Sequence, residues 1–213
     1  MKLLDERAEL VRYAQRLRPD GLVVGTSGNL SVRSGDLVAV TPSGLDYDAL
    51  TPGLICVCDL DGKVIEGELE PTSELPLHLA VYRSSDHRVI VHTHPTAATA
   101  VSTLVEELPP IHYLVTLFGP NVRVAPYATY GSDELAASAA EAMRDRAGCL
   151  LGNHGAVTAA DSLAKAYQLS LYLESLCDIW LRAASAGTPR LLSDEELARA
   201  GAKIASYGQV PPR

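Results

Sequence analysis

The chain has 213 residues, of which 47% are hydrophobic, a mean hydropathy of +0.08 and a formal net charge of −8. This length and composition predict one α/β domain over residues 1–213 with a full hydrophobic core. The negative charge argues against nucleic acid as a partner. No apolar run is long enough to span a membrane, which argues against a membrane as a partner.

The N-terminal segment carries charged residues too early for a secretory signal, which indicates a cytoplasmic protein. The four cysteines lack the spacing of a zinc finger or ribbon, so they are expected to be free, buried and reduced. Apolar residues recur at helical spacing from Leu3 to Leu17 and stop before Pro19, which predicts the first helix.

Two polar, glycine-containing segments follow. Glycine frees backbone amides and short polar side chains add donors, so such segments can bind phosphate without a lysine. An ordinary hairpin turn is the alternative for the first of them. Their key residues are Thr26, Ser27, Gly28, Asn29, Ser43 and Gly44.

Between residues 45 and 65 the sequence predicts a turn of helix and then a hairpin. The helical turn covers residues 45–50. The hairpin consists of a strand at 54–60, the turn Asp61-Gly62 and a second strand at 63–65.

The next helix is expected to begin with Thr72 or Ser73 as its N-cap and with Glu74 and Pro76 in its first turn. Glu74 has two interpretations at this position. It is either a solvated carboxylate on the helix dipole or a base beside a metal ion. His78, one turn later, is predicted to be packed in the core rather than to bind a metal.

The most informative motif follows the apolar strand 89–91. Because strand side chains alternate, His92 and His94 project from the same face, and Pro95 then ends the strand. Two imidazoles so placed can bind one metal ion. A pair of hydrogen-bonded histidines at a sheet edge is the alternative.

The following segment is predicted to alternate helices with one short strand. A helix covers residues 97–104, and a second begins at Pro109-Pro110 and includes Tyr113, a residue type typical of interfaces. A strand at 122–124 precedes a helix from residue 132 to about 146.

A third histidine, His154, follows another short apolar strand at 149–151 and lies between Gly152 and Gly155. Ligand sites in α/β proteins lie at strand ends, so this residue is a candidate to join the strand histidines. Three imidazoles leave a fourth coordination position open, as in a catalytic rather than a structural zinc site.

Asp161 is predicted to cap a long helix that extends through Trp180 and ends at Gly187. A last helix begins near Ser193 and leads to Tyr207. The sequence contains no internal repeats.

Taken together, six motifs along the chain resemble those of the class II sugar-phosphate aldolase and epimerase family, and most closely its members that act on L-fuculose 1-phosphate. The motifs are Gly-x-Ser-Gly-Asn-Leu-Ser, Thr-Pro-Ser-Gly, Ser-Glu, His-x-His, Pro-x-Ile-His-Tyr and Asn-His-Gly. The resemblance implies a three-layer α/β fold, with a central, largely antiparallel β-sheet flanked by helices. It also implies a homotetramer with active sites at the subunit interfaces.

The resemblance implies roles for individual residues. Zn²⁺, or Co²⁺ or Mn²⁺, is expected to bind His92, His94 and His154, with Glu74 within reach of the metal and serving as acid–base catalyst. Tyr113 is expected to enter the site of a neighbouring subunit, and Tyr207 to lie near the substrate. The implied phosphate pocket consists of Thr26, Gly28, Asn29, Ser43, Gly44, Thr72 and Ser73.

The implied reaction is the reversible cleavage of L-fuculose 1-phosphate, or a related ketose 1-phosphate, into dihydroxyacetone phosphate and L-lactaldehyde through a metal-stabilised enediolate. Two departures, Thr72 in place of a serine and Thr93 in place of an asparagine, leave the sugar open.

Three alternatives share the fold. An L-ribulose-5-phosphate 4-epimerase tends to carry aspartate where Glu74 stands. A methylthioribulose-1-phosphate dehydratase has the same metal ligands. A non-catalytic adducin-like binding module would lack ligands that are present here.

Overall fold

The structure is a computed structural model that describes residues 1–204, so Tyr207 lies outside the described residues. It contains a nine-stranded sheet with helices on both faces. The strands are β1 (Asn29–Ser34), β2 (Leu37–Val40), β3 (Cys56–Asp59), β4 (Val64–Glu66), β5 (Val89–Thr93), β6 (Glu107–Leu108), β7 (Val122–Ala125), β8 (Gly148–Leu151) and β9 (Gly155–Ala160). The helices are α1 (Leu4–Ala14), α2 (Leu75–Ser84), α3 (Thr96–Ser102), α4 (Asp133–Ala142), α5 (Leu163–Ala186) and α6 (Asp194–Ile204).

The strand order is β4-β3-β2-β1-β5-β9-β8-β7-β6, and all neighbouring pairs are antiparallel except β7 and β8. The predicted largely antiparallel sheet is therefore confirmed. Helices α1, α3 and α5 pack on one face and α2 and α4 on the other, which gives three layers.

Side-chain alternation along the strands divides the core in two. On β5, Val89 and Val91 face the α1, α3 and α5 layer, whereas Ile90 faces α2 and α4. Because His92 follows in the same alternation, it lies on the α2 face, where it is fully buried. The position of His92 is thus a direct consequence of the strand period.

Two helix starts differ from the prediction. Ser162, not Asp161, caps α5, and its hydroxyl accepts a hydrogen bond from the Lys165 amide at 3.3 Å. At α2 the N-cap position is occupied by Glu74, not by Thr72 or Ser73. The Thr72 amide donates to the Thr41 carbonyl at 3.1 Å, which keeps residue 72 extended and delays the helix.

Further differences concern short elements. The segment after Pro109-Pro110 forms a 3₁₀ helix at Tyr113–Phe118, and α4 ends at Ala142 rather than near residue 146. The predicted strand at 54–60 is limited to β3, because the 3₁₀ helix Pro52–Leu54 precedes it. Strand β9 was not predicted, because four of its six residues are glycine or alanine, which are depleted in strands.

The helix after the two strand histidines is held by a carboxylate from another element. Glu174 on α5 accepts hydrogen bonds from the Ala97 and Ala98 amides of α3 at 2.9 and 2.8 Å. These bonds satisfy amides that have no partner within a helix, and a negative charge at a helix N-terminus is favourable. No helix among residues 1–204 is long and apolar enough to cross a membrane.

Gly155 permits the close approach of β9 to β5. A Cβ atom at this residue would collide with the carbonyl oxygen of Thr93, and it would lie 3.3 Å from the Cα of His94. The absence of a side chain at residue 155 therefore sets the spacing between the two histidine-bearing segments.

We expect Gly155→Ala to lower the free energy of unfolding by about 3 kcal/mol, because backbone atoms must move apart. Urea unfolding of the metal-free protein measures this change. Gly53→Ala is the control, since its Cβ would have no neighbour closer than 3.9 Å. An equal effect of the two substitutions would contradict the assigned role of Gly155.

Candidate metal centre and adjoining pocket

Three imidazoles and one carboxylate converge at one edge of the sheet. One ligand atom from each of Glu74, His92, His94 and His154 lies within 4.8 Å of every other. The ring centroids of the histidines are 4.6 to 5.0 Å apart. The structure thus brings together the four predicted residues, and metal binding by them stays a prediction.

Strand pairing explains this convergence. Asn29 of β1 lies opposite His92 of β5 in the antiparallel register of these two strands. On the other side of β5, Val157 of β9 lies opposite the same histidine. His154 occupies the turn that joins β8 to β9. Positions distant in sequence therefore meet where β1 begins, β5 ends and β9 begins.

The turn that carries His154 is held by α3. Asn153 adopts a left-handed backbone conformation with a φ of 55°, and its amide donates to the Ser102 hydroxyl at 3.0 Å. The Thr99 hydroxyl donates to the His154 carbonyl at 3.4 Å. Because Glu174 caps the same helix, α5 indirectly supports the position of His154.

The orientation of His92 is set by a backbone group. Its Nδ1 lies 3.0 Å from the Ala156 carbonyl oxygen, which can only accept, so Nδ1 carries the hydrogen. Its Nε2 therefore directs a lone pair toward the cluster, the arrangement typical of metal-binding histidines. In the structure Nε2 lies 2.8 Å from His94 Nε2 and 3.0 Å from Glu74 Oε2.

The remaining histidines of the cluster are neutral at physiological pH. Burial, reinforced by the neighbouring imidazoles, lowers the pKa of His94 to about 3. Burial and the nearby His92 lower the pKa of His154 to about 4, although Glu74 opposes the shift. Neutral imidazoles keep the lone pairs that a metal ion requires.

Glu74 is ionised in this environment. Burial alone would raise the pKa of Glu74, but the facing His92 and the hydrogen bond from Asn29 lower it by more, so the net pKa lies well below the usual range. Oε2 accepts from Asn29 Nδ2 at 2.9 Å. Oε1 faces His154 Nε2 at 3.4 Å and is buried without a hydrogen-bond partner among the described residues.

The donor set fits a divalent cation. A buried carboxylate oxygen without a hydrogen bond is costly unless another group satisfies it. Three imidazoles beside it match zinc and other imidazole-preferring cations. His92, His94, His154 and Glu74 could therefore hold such an ion.

A cavity of about 350 Å³ adjoins the cluster. Its lining includes Glu74, His94 and His154 together with polar residues from the glycine-containing loops, and no lysine or arginine among the described residues. The predicted phosphate residues all line it: Thr26, Gly28, Asn29, Ser43, Gly44, Thr72 and Ser73.

The first loop depends on a glycine and a buried tyrosine. Gly28 has a φ of 84°, and a Cβ there would lie 2.9 Å from the His92 carbonyl oxygen. The Tyr47 hydroxyl lies 2.7 and 2.8 Å from the carbonyl oxygens of Ser27 and Gly28. The Tyr47 side chain thus anchors the loop through the carbonyl groups of the loop.

Three polar residues that line the cavity were missed by the sequence analysis. They are Tyr127, Tyr130 and Asn153. Two exposed tyrosines between Pro126 and Gly131, directly after a predicted strand, were the available signal. Asn153 precedes His154, so its proximity to the site could have been inferred.

Tyr113 is not among the described residues that line the cavity of this chain. Its side chain is 47% exposed and stacks on His112 with a centroid distance of 4.3 Å. Such exposure leaves it accessible to another chain. Its role at a neighbouring site stays a prediction.

Comparison with known proteins connects this site to a family. The family model "Class II Aldolase and Adducin N-terminal domain" matches residues 8–181. A "5-deoxy-D-ribulose 1-phosphate aldolase" of Bacillus thuringiensis serovar kurstaki is 42% identical over 212 residues, which cover 98% of this chain and all of that protein.

Two further relatives have names that mention fuculose. An "L-fuculose phosphate aldolase" of Escherichia coli K12 is 40% identical over 191 residues, or 88% of each chain. A solved structure of an "L-fuculose 1-phosphate aldolase" superposes with a TM-score of 0.91 at 41% identity and covers 94% of this chain and 96% of the other.

We expect the purified chain to bind one divalent cation per polypeptide and His154→Ala to weaken that binding by about 100-fold, because one ligand is lost. This binding is measured by competition with a chelator and by the visible spectrum of bound Co²⁺. His87→Ala is the matched control, since His87 contacts the Arg146 carbonyl outside the cluster. Unchanged affinity in His154→Ala would rule out the cluster as the site.

Proposed function

Because the chain belongs to the class II aldolase and adducin N-terminal domain family, we propose that it is a metal-dependent aldolase acting on a ketose 1-phosphate. The proposed reaction is the reversible cleavage of a deoxyketose 1-phosphate into dihydroxyacetone phosphate and an aldehyde. The supporting observation is that three imidazoles and Glu74 converge beside a cavity whose other walls are polar loops.

In this proposal His92, His94, His154 and Glu74 hold the metal. The bound divalent cation supplies electrostatic stabilisation of the negative charge that develops on the dihydroxyacetone phosphate half. A lysine Schiff base is not supported, because none of the four lysines, all within the described range, lines the cavity.

Glu74 is the group proposed to move the carbon-bound proton. In the condensation direction its carboxylate accepts the proton from the carbon of dihydroxyacetone phosphate that will form the new bond, and in cleavage it returns it. Its ionised state suits an acceptor, and Oε1 has no competing hydrogen bond among the described residues. Tyr113 of a neighbouring chain is proposed to serve the oxygen of the aldehyde, which makes the active unit an oligomer, with the homotetramer as our proposal.

Neutral donors are proposed to bind the phosphate. The loops that contain Gly28 and Gly44 offer backbone amides, and Thr26, Ser43, Thr72 and Ser73 add hydroxyl groups. Hydrogen bonds to an ionised phosphate are stronger than those between neutral groups. A net charge of −8 therefore does not prevent binding of an anionic substrate.

Two substrates are proposed, L-fuculose 1-phosphate and 5-deoxy-D-ribulose 1-phosphate. Both yield dihydroxyacetone phosphate, and they differ in the aldehyde, L-lactaldehyde or acetaldehyde. The relative named for deoxyribulose phosphate matches 98% of this chain over its own full length, which supports including the smaller substrate. The difference of one carbon and one hydroxyl group falls on the aldehyde end, for which Tyr127, Tyr130 and Asn153 are the proposed contacts.

The test is to incubate the zinc-loaded protein with both 1-phosphates, with L-ribulose 5-phosphate and with methylthioribulose 1-phosphate, and to measure release of triose phosphate. We expect release from a 1-phosphate, and a kcat lowered by about 10³-fold in Glu74→Gln with its metal retained, because proton transfer is lost. Glu134→Gln, an exposed glutamate on α4, is the control.

Other products would replace the proposal. Appearance of an epimer without triose phosphate would indicate an epimerase, and loss of water from methylthioribulose 1-phosphate would indicate a dehydratase. Metal binding with no turnover of any of these substrates would favour a binding module.

We also expect Tyr47→Phe to raise KM for the 1-phosphate about fivefold with little change in kcat, because loss of one hydrogen bond of about 1 kcal/mol loosens the phosphate loop. The inhibition constant of inorganic phosphate should rise in parallel. Tyr13→Phe is the control, since Tyr13 is a buried tyrosine of the same core that packs against Tyr167. A change in kcat with KM unaltered would contradict the assigned role of Tyr47.

A further inference from the structure

A chain of four buried polar side chains extends from Glu74 away from the cavity. Glu74 Oε2 is 2.9 Å from Asn29 Nδ2, and Asn29 Oδ1 is 2.5 Å from His78 Nε2. His78 Nδ1 is 2.6 Å from the Ser31 hydroxyl, which is 2.7 Å from the Tyr82 hydroxyl. We call these residues, Asn29, Ser31, His78 and Tyr82, the buried relay.

The hydrogen bonds of the buried relay have one consistent direction. An ionised carboxylate can only accept, so Asn29 must present its amide nitrogen to Glu74 and its oxygen to His78. His78 therefore carries its hydrogen on Nε2 and accepts on Nδ1 from Ser31. The Ser31 hydroxyl also contacts the Tyr82 hydroxyl, which lies 3.3 Å from the Arg88 carbonyl oxygen. The donors of Ser31, His78 and Asn29 thus all point toward Glu74.

The surroundings leave few other arrangements. The side chains of Ser31 and His78 are fully buried, and those of Asn29 and Tyr82 nearly so. Burial lowers the pKa of His78 to about 3, which keeps the imidazole neutral with a single N–H group. A neutral imidazole between a carbonyl oxygen and a hydroxyl group has one tautomer that satisfies both neighbours.

We propose that His78 is a positioning residue that fixes the amide orientation of Asn29 and thereby holds Glu74 Oε2, leaving Oε1 directed at the histidine cluster. Without the His78 N–H group, the Asn29 amide can rotate and present its oxygen to the carboxylate. That contact is repulsive, so Glu74 would leave its position. The effect on turnover rests on the proposed function, whereas the effect on the metal site does not.

The residue type of His78 allows a graded test. His78→Gln places an amide N–H group near the position of Nε2, whereas the shorter amide of His78→Asn reaches only the position of Nδ1. His78→Leu removes both. Leu79→Ala, the next residue on α2, disturbs the packing of the same helix without touching the buried relay and is the matched control.

The measurements are affinity for Co²⁺ by competition with a chelator, the visible spectrum of the bound ion, and kcat and KM of the zinc-loaded protein. We expect His78→Leu and His78→Asn to weaken Co²⁺ binding by about 10-fold or more, as loss of a group that orients a ligand does, and to alter the spectrum. We expect kcat to fall by a similar factor with KM changed less than about twofold. His78→Gln should recover most of each loss.

The proposal is overturned if His78→Gln is no better than His78→Asn, or if Leu79→Ala reproduces the losses, because the effect would then be one of packing. The glutamine and asparagine comparison remains decisive if His78→Leu does not fold. The affinity and the spectrum require no substrate. They therefore test the positioning of Glu74 even if the proposed reaction is wrong.

Discussion

The antiparallel pairing of β1, β5 and β9 is the constraint on which the site depends. It places Asn29 beside His92, and it brings the turn with His154 to the same edge of the sheet. Two residues of the cluster then receive their orientation from neighbours that this pairing supplies. The Ala156 carbonyl accepts a hydrogen bond from His92 Nδ1, and Asn29 Nδ2 donates one to Glu74 Oε2. His92 and its partner Asn29 thus lie on paired strands in the middle of the sheet, and sites built on strands are more precise than sites built on loops.

The parts of the site that could be predicted follow from local rules. The period of two along a strand places His92 and His94 on one face, and flanking glycines mark His154 as a loop residue. Their convergence on Glu74 could not be derived in this way, because it depends on the register of strands that are far apart in sequence. The strand-end rule made His154 a candidate to join the other histidines and left two interpretations of Glu74, and resemblance to a family favoured the one in which all four residues converge. The largely antiparallel sheet came from the same source.

Tertiary contacts explain what the sequence analysis missed. From the sequence, Glu74 is predicted to lie in the first turn of α2. In the structure, the hydrogen bond from Thr72 to Thr41 delays the start of the helix, so the Glu74 carboxylate is available to the site. The Asp161 cap was wrong by one residue, since Asp161 and Ser162 are both good caps and only the geometry selects Ser162. His78 was correctly predicted to be packed, whereas its partners depend on how α2 sits on β1.

The absence of a side chain at Gly155 also bears on how such proteins can be recombined. Because the backbone there contacts Thr93 without room for a methyl group, the segment with His92 and His94 and the segment with His154 have complementary surfaces. In a chimaera with a crossover between these segments, the two halves come from different parent proteins, so their backbones need not fit each other. In loop 127–131, Tyr127, Ala128 and Tyr130 line the cavity and can be exchanged between relatives, whereas Gly131 is restricted in the same way as Gly155, because a Cβ there would lie 2.9 Å from the Ser73 carbonyl oxygen. Differences in substrate between relatives should therefore arise in that loop, while the framework that carries the histidine and glutamate cluster is inherited as one unit.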